Sequence, residues 1–255
     1  MRRAVAVLLM LCALALPARG EEVLLELSQT RVAITTTFDG SEILVFGAVA
    51  RDAPVPEGAG PLAVIVTVQG PRQGLTVWRK ARRVGIWMNV EGVRVSRAPS
   101  FYAVASSAPL AEALSATEDL RYEISIPRAI RAIGAFAALL DAPAFTEALI
   151  RLRMASGHYQ LHEGGVELTR ETLFRTTVTL PANLTEGSYA TRVFLTRGGE
   201  VIDHVETAID VRKAGIEAWL FNLAMEHPLV YGLLAVALAV AAGWGASAAF
   251  RYLRS

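Results

Sequence analysis

The stretch "RVAITTTFDGSEILVFGAV", residues 31–49, decides how the chain is read. Val32, Ile34, Thr36 and Phe38 alternate with Arg31, Ala33, Thr35 and Thr37, the period of two of a half-buried strand. Asp39-Gly40 follows and reads as a hairpin signal. "EILVFGAV" is apolar on both faces, as a central strand should be. Working outward, "RDAPVPEGAGP" is a Pro/Gly-rich loop, "LAVIVTVQG" another strand and Gly70-Pro71 a turn. "LTVW" and "VGIWMNV" are two further strands, with "RKARR" as the hairpin connection or the strand ends beside it.

The middle of the chain changes period. Ser107 stands as an N-cap, with Leu110, Ala113 and Leu114 as a short apolar face. Ile130, Ile133, Ala137 and Leu140 recur at helical spacing. Asp141 then precedes Pro143 at a helix start. Phe145, Ala148, Leu149 and Leu152 share a face, and Gly157 ends that helix. After it the chain returns to strands. "LFRTTVTLP" puts Phe174, Thr176, Val178 and Leu180 on one side, and "EGSYATRVFLT" and "EVIDHVETAIDV" are joined at Arg197-Gly198-Gly199-Glu200. Gly187-x-Tyr189 resembles the tyrosine corner of immunoglobulin-like sandwiches. The expected fold is mainly β with a helical insert (α+β): an immunoglobulin-like β-sandwich followed by one C-terminal transmembrane helix. Strands are expected over 22–97, helix over 107–157 and strands again over 166–212.

Both ends of the chain are apolar. Met1-Arg2-Arg3, "AVAVLLMLCALAL" and "PARG" follow the plan of a secretory signal peptide, with cleavage expected after Gly20 or Ala18. Cys12 lies in the middle of the apolar run after Leu11, which argues against lipidation. It is the only cysteine, so the exported part, 21–213, carries none. At roughly 190 residues that part is long enough to build a core without disulfides. "LVYGLLAVALAVAAGWGASAAF", residues 229–250, has no charge and is about 33 Å long as a helix, enough to span a bilayer. Tyr231 and Trp244 sit toward its ends. Arg251 and Arg254 follow, placing the tail 251–255 in the cytoplasm and the rest outside. Residues 214–228, with Ile216, Trp219, Leu220 and Leu223 on one face and Pro228 as a break, read as a juxtamembrane helix. The short signal and the Arg/Ala-rich composition fit a bacterial inner membrane with a periplasmic ectodomain, and Asn183-Leu184-Thr185 reads as a chance sequon. An exported domain has no nucleic acid to bind.

Charge is uneven along the exported part. Residues 21–228 hold 20 Lys/Arg against 24 Asp/Glu, yet 71–97 holds seven Lys/Arg and the single acid Glu91. Arg79, Lys80, Arg82 and Arg83 therefore form the expected contact for an acidic partner, an anion or lipid headgroups, beside the plainer reading of a solvated hairpin tip. Ala235, Ala239, Gly243 and Ser247 fall four apart, a small-residue stripe suited to helix–helix contact with another copy or a polytopic permease. His158 and His162 would share a metal only on a helix, because on a strand they stand ~13 Å apart. G-x-S-x-G, P-loop, G-x-G-x-x-G and HExxH patterns are all absent from the sequence. No cofactor and no enzymatic activity are expected.

"LSQTRVAITTTFDGSEILVFGAV", "VWRKARRVGIWMN" and "FYAVASSAPL", with the C-terminal span, resemble the Alph_Pro_TM family of bacterial, alphaproteobacterial-type transmembrane proteins. The resemblance covers nearly the whole mature chain. It implies a single-pass protein facing the periplasm, brings no catalytic residues, and implies gene neighbourhoods that hold sulfite-exporter-type permeases. The expected function is that of an accessory protein assisting a small-anion exporter. A periplasmic anion-binding or sensing module, and a metal-binding or enzymatic ectodomain using His158 and His162, stand as alternatives.

Overall fold

The computed structural model describes residues 21–35, 38–51, 58–130, 142–213 and 216–253. The signal segment 1–20, the helical positions Ile133, Ala137 and Leu140, the cap Asp141 and Arg254 lie outside them. Within them the molecule is mostly β, with short helices and one long apolar C-terminal helix.

Among the described residues twelve strands build two sheets and a ribbon. β1 (Glu21–Leu27), β3 (Ser41–Arg51), β10 (Leu173–Leu180) and β9 (Glu167–Thr169) form a four-stranded sheet in the order β1-β3-β10-β9. β2 (Arg31–Ile34), β12 (Glu200–Lys213), β11 (Gly187–Arg197), β4 (Leu62–Gln69), β7 (Tyr102–Ser106) and β8 (Tyr159–Glu163) form a six-stranded sheet in that order. β5 (Arg72–Arg83) and β6 (Ile86–Pro99) pair only with each other. Strands from both ends of the sequence interleave in each sheet, so the C-terminal strands complete the N-terminal ones.

The sheets face each other across one core. Val23, Ile43, Val45, Phe174, Val178 and Leu180 from the first meet Val64, Val66, Val68, Val193, Ile209 and Val211 from the second. β10 keeps the expected alternation, with Phe174, Thr176, Val178 and Leu180 inward. β3 is central, but only one of its faces is covered: Leu44 and Phe46 are each 38% exposed on the other. β4 is buried on both faces because a second cluster covers its outer side. That cluster joins Ala63, Ile65, Tyr102, Val104 and Phe194 to Leu114, Ile124, Phe145 and Leu149 of the helical segment.

The helical segment is broken rather than continuous. Its pieces are α1 (Leu110–Ala113), α2 (Ala116–Tyr122), α3 (Ile126–Ala129) and α4 (Ala142–Ala155). Ser107 is not a cap: its hydroxyl accepts from the Val64 N–H at 3.0 Å. Ser115 caps α2 instead, accepting from the Glu118 N–H. Phe145 and Leu149 face inward, whereas Leu152 is exposed. Gly157, at φ +72°, ends α4 as its composition predicted.

Asp39-Gly40 does not close a hairpin. β2 leaves for the six-stranded sheet, where it runs parallel to β12, while β3 pairs with β1 and β10. The dipeptide supplies the bend, with Gly40 at φ +119°, for a crossing between sheets. The Arg197–Glu200 hairpin forms as expected, with Gly198 and Gly199 at φ +58° and +86°. The buried Tyr189 ring sends its hydroxyl to the Thr185 carbonyl at 2.8 Å.

One ionic knot ties the sheets at an edge. Arg197 on β11 forks onto both carboxylate oxygens of Glu21 on β1, at 2.8 and 2.9 Å from one nitrogen. Arg51 on β3 donates to the same carboxylate, and Arg197 also reaches the Gly60 carbonyl. Burial works against ionising Glu21, but the hydrogen bonds and charges of Arg197 and Arg51 outweigh it and hold its pKa below the ordinary value.

Beyond the sandwich, α5 (Ile216–Glu226) and α6 (Pro228–Leu253) meet at the predicted break. Pro228 opens α6, where its missing N–H costs nothing. The helix Pro228–Ser247 is long and apolar enough to cross a membrane, and none of it is buried against the protein.

Two stability predictions follow from this packing. Tyr189→Phe leaves the Thr185 carbonyl without its partner and should cost about 1 kcal/mol in urea denaturation of the detergent-solubilised chain. The Glu21 knot contributes fully above the ordinary Glu range near ~4.3 and is lost as pH falls through the lowered pKa of the folded state. Glu21→Gln should therefore melt lower than wild type at neutral pH and converge with it in acid. A gap that persists unchanged to the acid end would contradict the ionic account.

Candidate functional site: the basic, aromatic ribbon

β5 and β6 are an outgrowth of the six-stranded sheet. The β4–β7 ladder pairs Ile65 with Ser106 and Gln69 with Tyr102. It continues in the same register through Gly70 N–H to the Phe101 carbonyl and Ser100 N–H to the Pro71 carbonyl. Arg72 then faces Pro99 and Gln73 faces Ala98. Residues 62–106 are thus one long hairpin whose far half leaves the sheet. The expected Gly70-Pro71 turn is a passage between sandwich and ribbon.

The base of the ribbon is fixed. Val77 and Val95 are buried against the helical segment, and the Arg79 guanidinium lies 5.1 Å from the Phe145 ring centroid. The Tyr159 hydroxyl bonds the Pro99 carbonyl at 2.9 Å, and Tyr102 reaches the Ile124 carbonyl at 2.8 Å. Burial pushes both phenols up to about 12.

Past Val77 no third strand among the described residues pairs with the ribbon. "RKARR" lies within β5, and the turn is Val84-Gly85, with φ +49° and +83°. Register shifts at Gln73/Leu75 and Arg79/Lys80 place extra residues in β6 and twist the pair. Trp78 lies across Gly92, where an added Cβ would come within 2.8 Å of the indole.

The four basic residues do not make one patch. Arg79 and Arg83 alternate with Lys80 and Arg82, so the charges divide between the two faces. Arg79 pairs with Glu91 at 3.1 Å, and Arg82 donates to the Gly85 carbonyl at 3.2 Å. Between the charges stands what sequence reading missed. Val84 is fully exposed, Trp87 71%, Ile86 62%, Trp78 54% and Met88 46%. Arg82 faces Trp87 across the ribbon, and Arg83 faces Ile86.

The root of the ribbon and the exit toward α5 and α6 share one end of the two sheets. Gln69 pairs with Ala190, and Ala190 with Ala208. Pro71 touches Gly187, which pairs with Val211. β12 ends at Lys213 and α5 begins at Ile216. Strands β4 and β12 flank β11, so the two departures are ~10 Å apart.

The other candidates are not assembled. His158 is buried before β8, with Ser156 Oγ at 2.9 Å from Nδ1 and the Asn183 carbonyl at 3.4 Å from Nε2. His162 lies on β8 with Gln160 Oε1 at 3.3 Å. Their segment is extended, so they do not converge. Among the described residues no group of three or more His, Cys, Asp or Glu is placed to hold a metal. His204 stacks on Phe194 at 5.9 Å. A shallow depression beside Leu44, His162 and Thr176 includes Arg175, but Glu167 meets that guanidinium at 2.6 Å. Ala235, Ala239, Gly243 and Ser247 are all exposed along α6.

Added Zn²⁺ should therefore leave the melting temperature of the purified chain unchanged. A rise that disappears in His162→Ala would restore the metal reading.

Two solved structures are similar over much of the chain. Sporulation control protein Spo0M from Bacillus subtilis matches with 12% identity and a TM-score of 0.29, covering 81% of this chain and 55% of Spo0M. The chain thus spans about half the length of Spo0M. BslA, a bacterial hydrophobin, matches with 10% identity and a TM-score of 0.22, covering 78% of this chain and 99% of BslA. No curated protein matches the chain. The family described as "Putative transmembrane protein (Alph_Pro_TM)" matches residues 22–252. That match takes in both sheets, the ribbon and the apolar helix, and the chain belongs to the Alph_Pro_TM family.

Proposed function

We propose that this chain is a non-enzymatic, single-pass interaction protein of the bacterial inner membrane. Its β-rich part stands in the periplasm and its short tail in the cytoplasm. The observation that carries the reading is the shared end: the ribbon root and the end of β12, from which the chain goes on to α5 and α6, lie side by side. A domain built this way presents its one strongly basic, apolar-tipped element toward whatever surrounds its own anchor. Orientation rests on the signal-like N-terminus and on Arg251 and Arg254 after the span.

The sandwich is best read as immunoglobulin-like. Supporting this are the order β1-β3-β10-β9 opposed to β2-β12-β11-β4-β7, the parallel pairing of β2 with β12, and the Tyr189 corner. Such a scaffold serves contact rather than chemistry.

The partner in this reading is a polytopic permease of the small-anion, sulfite-exporter class. That assignment rests on the family resemblance and on the sign of the ribbon's charge. The exposed stripe Ala235, Ala239, Gly243 and Ser247 supplies the contact within the bilayer. Mild crosslinking in native membranes, followed by capture of the tagged chain and mass spectrometry, tests it. A polytopic protein should be recovered with wild type and reduced roughly tenfold by Ala239→Leu with Gly243→Leu, a disruption of close helix packing. Recovery of the tagged chain alone sinks the reading.

A further inference from the structure

We infer that the tip of the β5–β6 ribbon, residues 78–92, seats in the headgroup layer of an anionic bilayer beside the chain's own anchor. The inference rests on the membrane-anchored reading above and names the surface that the ribbon touches. Three observations converge on lipid.

The first is composition in space. Val84 is exposed at the turn, followed by Ile86, Trp87 and Met88, with Arg83 and Arg82 level with Ile86 and Trp87 on the facing strand and Lys80 further back. Apolar and indole groups interleaved with long basic side chains suit entry into an interface: rings at headgroup depth, guanidinium and ammonium groups reaching phosphates. The basic residues occupy both faces of the ribbon. A protein partner docking on one face would leave half of them unused, whereas a headgroup layer surrounds an inserted tip on every side.

The second is the turn itself. Two-residue turns with both central residues at positive φ favour Asn, Asp or Gly. Here the first is Val84 at φ +49°, a conformation β-branched residues resist, and it is the most exposed residue of the tip. A strained apolar residue where a polar one would relax the backbone marks a site that uses apolar exposure.

The third is placement. The ribbon leaves the sandwich at the end where the chain departs for α5 and α6. At that departure α5 exposes Trp219 at 55%, Phe221 at 61% and Met225 at 69%. Acidic residues dominate the remainder of residues 21–228, 23 against 13 Lys/Arg outside 71–97. An anionic surface therefore repels the bulk of the domain and attracts the ribbon, which fixes which element approaches.

The test uses the full chain, with Cys12→Ser, reconstituted in vesicles of phosphatidylcholine alone or mixed equally with phosphatidylglycerol. An environment-sensitive fluorophore is placed at Met88→Cys, or at Glu200→Cys in the hairpin at the other end of the sandwich. In the anionic vesicles the Met88 probe should shift to the blue and be quenched by brominated lipid, while the Glu200 probe stays in water. High salt, or Gln at 79, 80, 82 and 83, should remove at least roughly half of that quenching. Val84→Asn with Trp87→Ser should do the same, and Val84→Asn relaxes the turn, so unfolding does not explain the loss. A Met88 probe as wet as the Glu200 probe in anionic vesicles overturns the inference. If that probe is nevertheless dry in native membranes, a protein covers the tip: the lipid assignment falls and the interaction reading stands. If it is wet in both, the ribbon is neither, and only the contact through α6 remains to support the proposed function.

Discussion

A single antiparallel register, set between β4 and β7, governs what this molecule holds out to its surroundings. From Ile65 opposite Ser106 to Gln73 opposite Ala98 the pairing never slips. The strand pair therefore passes from a buried sheet into solvent without a turn and without losing a backbone hydrogen bond at the boundary. Further on, the two strands satisfy each other, and among the described residues no other strand pairs with them. Two-stranded ribbons are marginal alone, so this one depends on its root. Val77 and Val95 supply it, packed into the cluster that covers the outer face of β4.

That cluster explains the helical segment. The inner faces of both sheets already share one core, and β4 would otherwise present Ala63 and Ile65 to water. The short helices cover them. They are held by polar ties to the same strands: Tyr102 to the Ile124 carbonyl, and Arg192 to the Tyr122 carbonyl at 2.9 Å. Phe194 packs edge-on to Tyr122 at 5.5 Å. Cover and ribbon base are one unit, which holds the base in place while the far residues remain exposed.

Strands whose two faces meet different environments were legible in the sequence. Phe174, Thr176, Val178 and Leu180 announced their side of β10, whereas "EILVFGAV", apolar on both faces, is covered on one only, and the strand covered on both is "LAVIVTVQ". What was not legible was pairing. Asp39-Gly40 encodes a backbone bend, and the same bend serves a hairpin or a crossing; only the match of β2 with β12, far away in sequence, decides. "YAVAS" carries no alternation because it is covered on both sides, so β7 left no periodic mark. β8 was hidden behind the histidine spacing that drew attention to it. At the ribbon, the charges were readable and the exposed apolar tip was not. Period-two reasoning assumes that one face of a strand finds a core, and Val84 disguised the turn by being the wrong residue for it.

The two ends of the sandwich are built to opposite rules. At one, the forked Arg197–Glu21 pair and the Arg51 contact bind the sheets through partners that are mostly shielded, with side chains 11% to 23% exposed. At the other, Trp78, Trp87, Trp219 and Phe221 stand in the open. Exposed apolar groups of this size on a freely diffusing protein invite association, and an uncapped ribbon edge adds to the hazard. Tethering changes that balance. A helix that confines the domain to a bilayer surface turns the same residues into groups with a constant neighbour. On the membrane-anchored reading proposed above, the apolar end is the end that faces the membrane, and the ion-paired end is the one left to water.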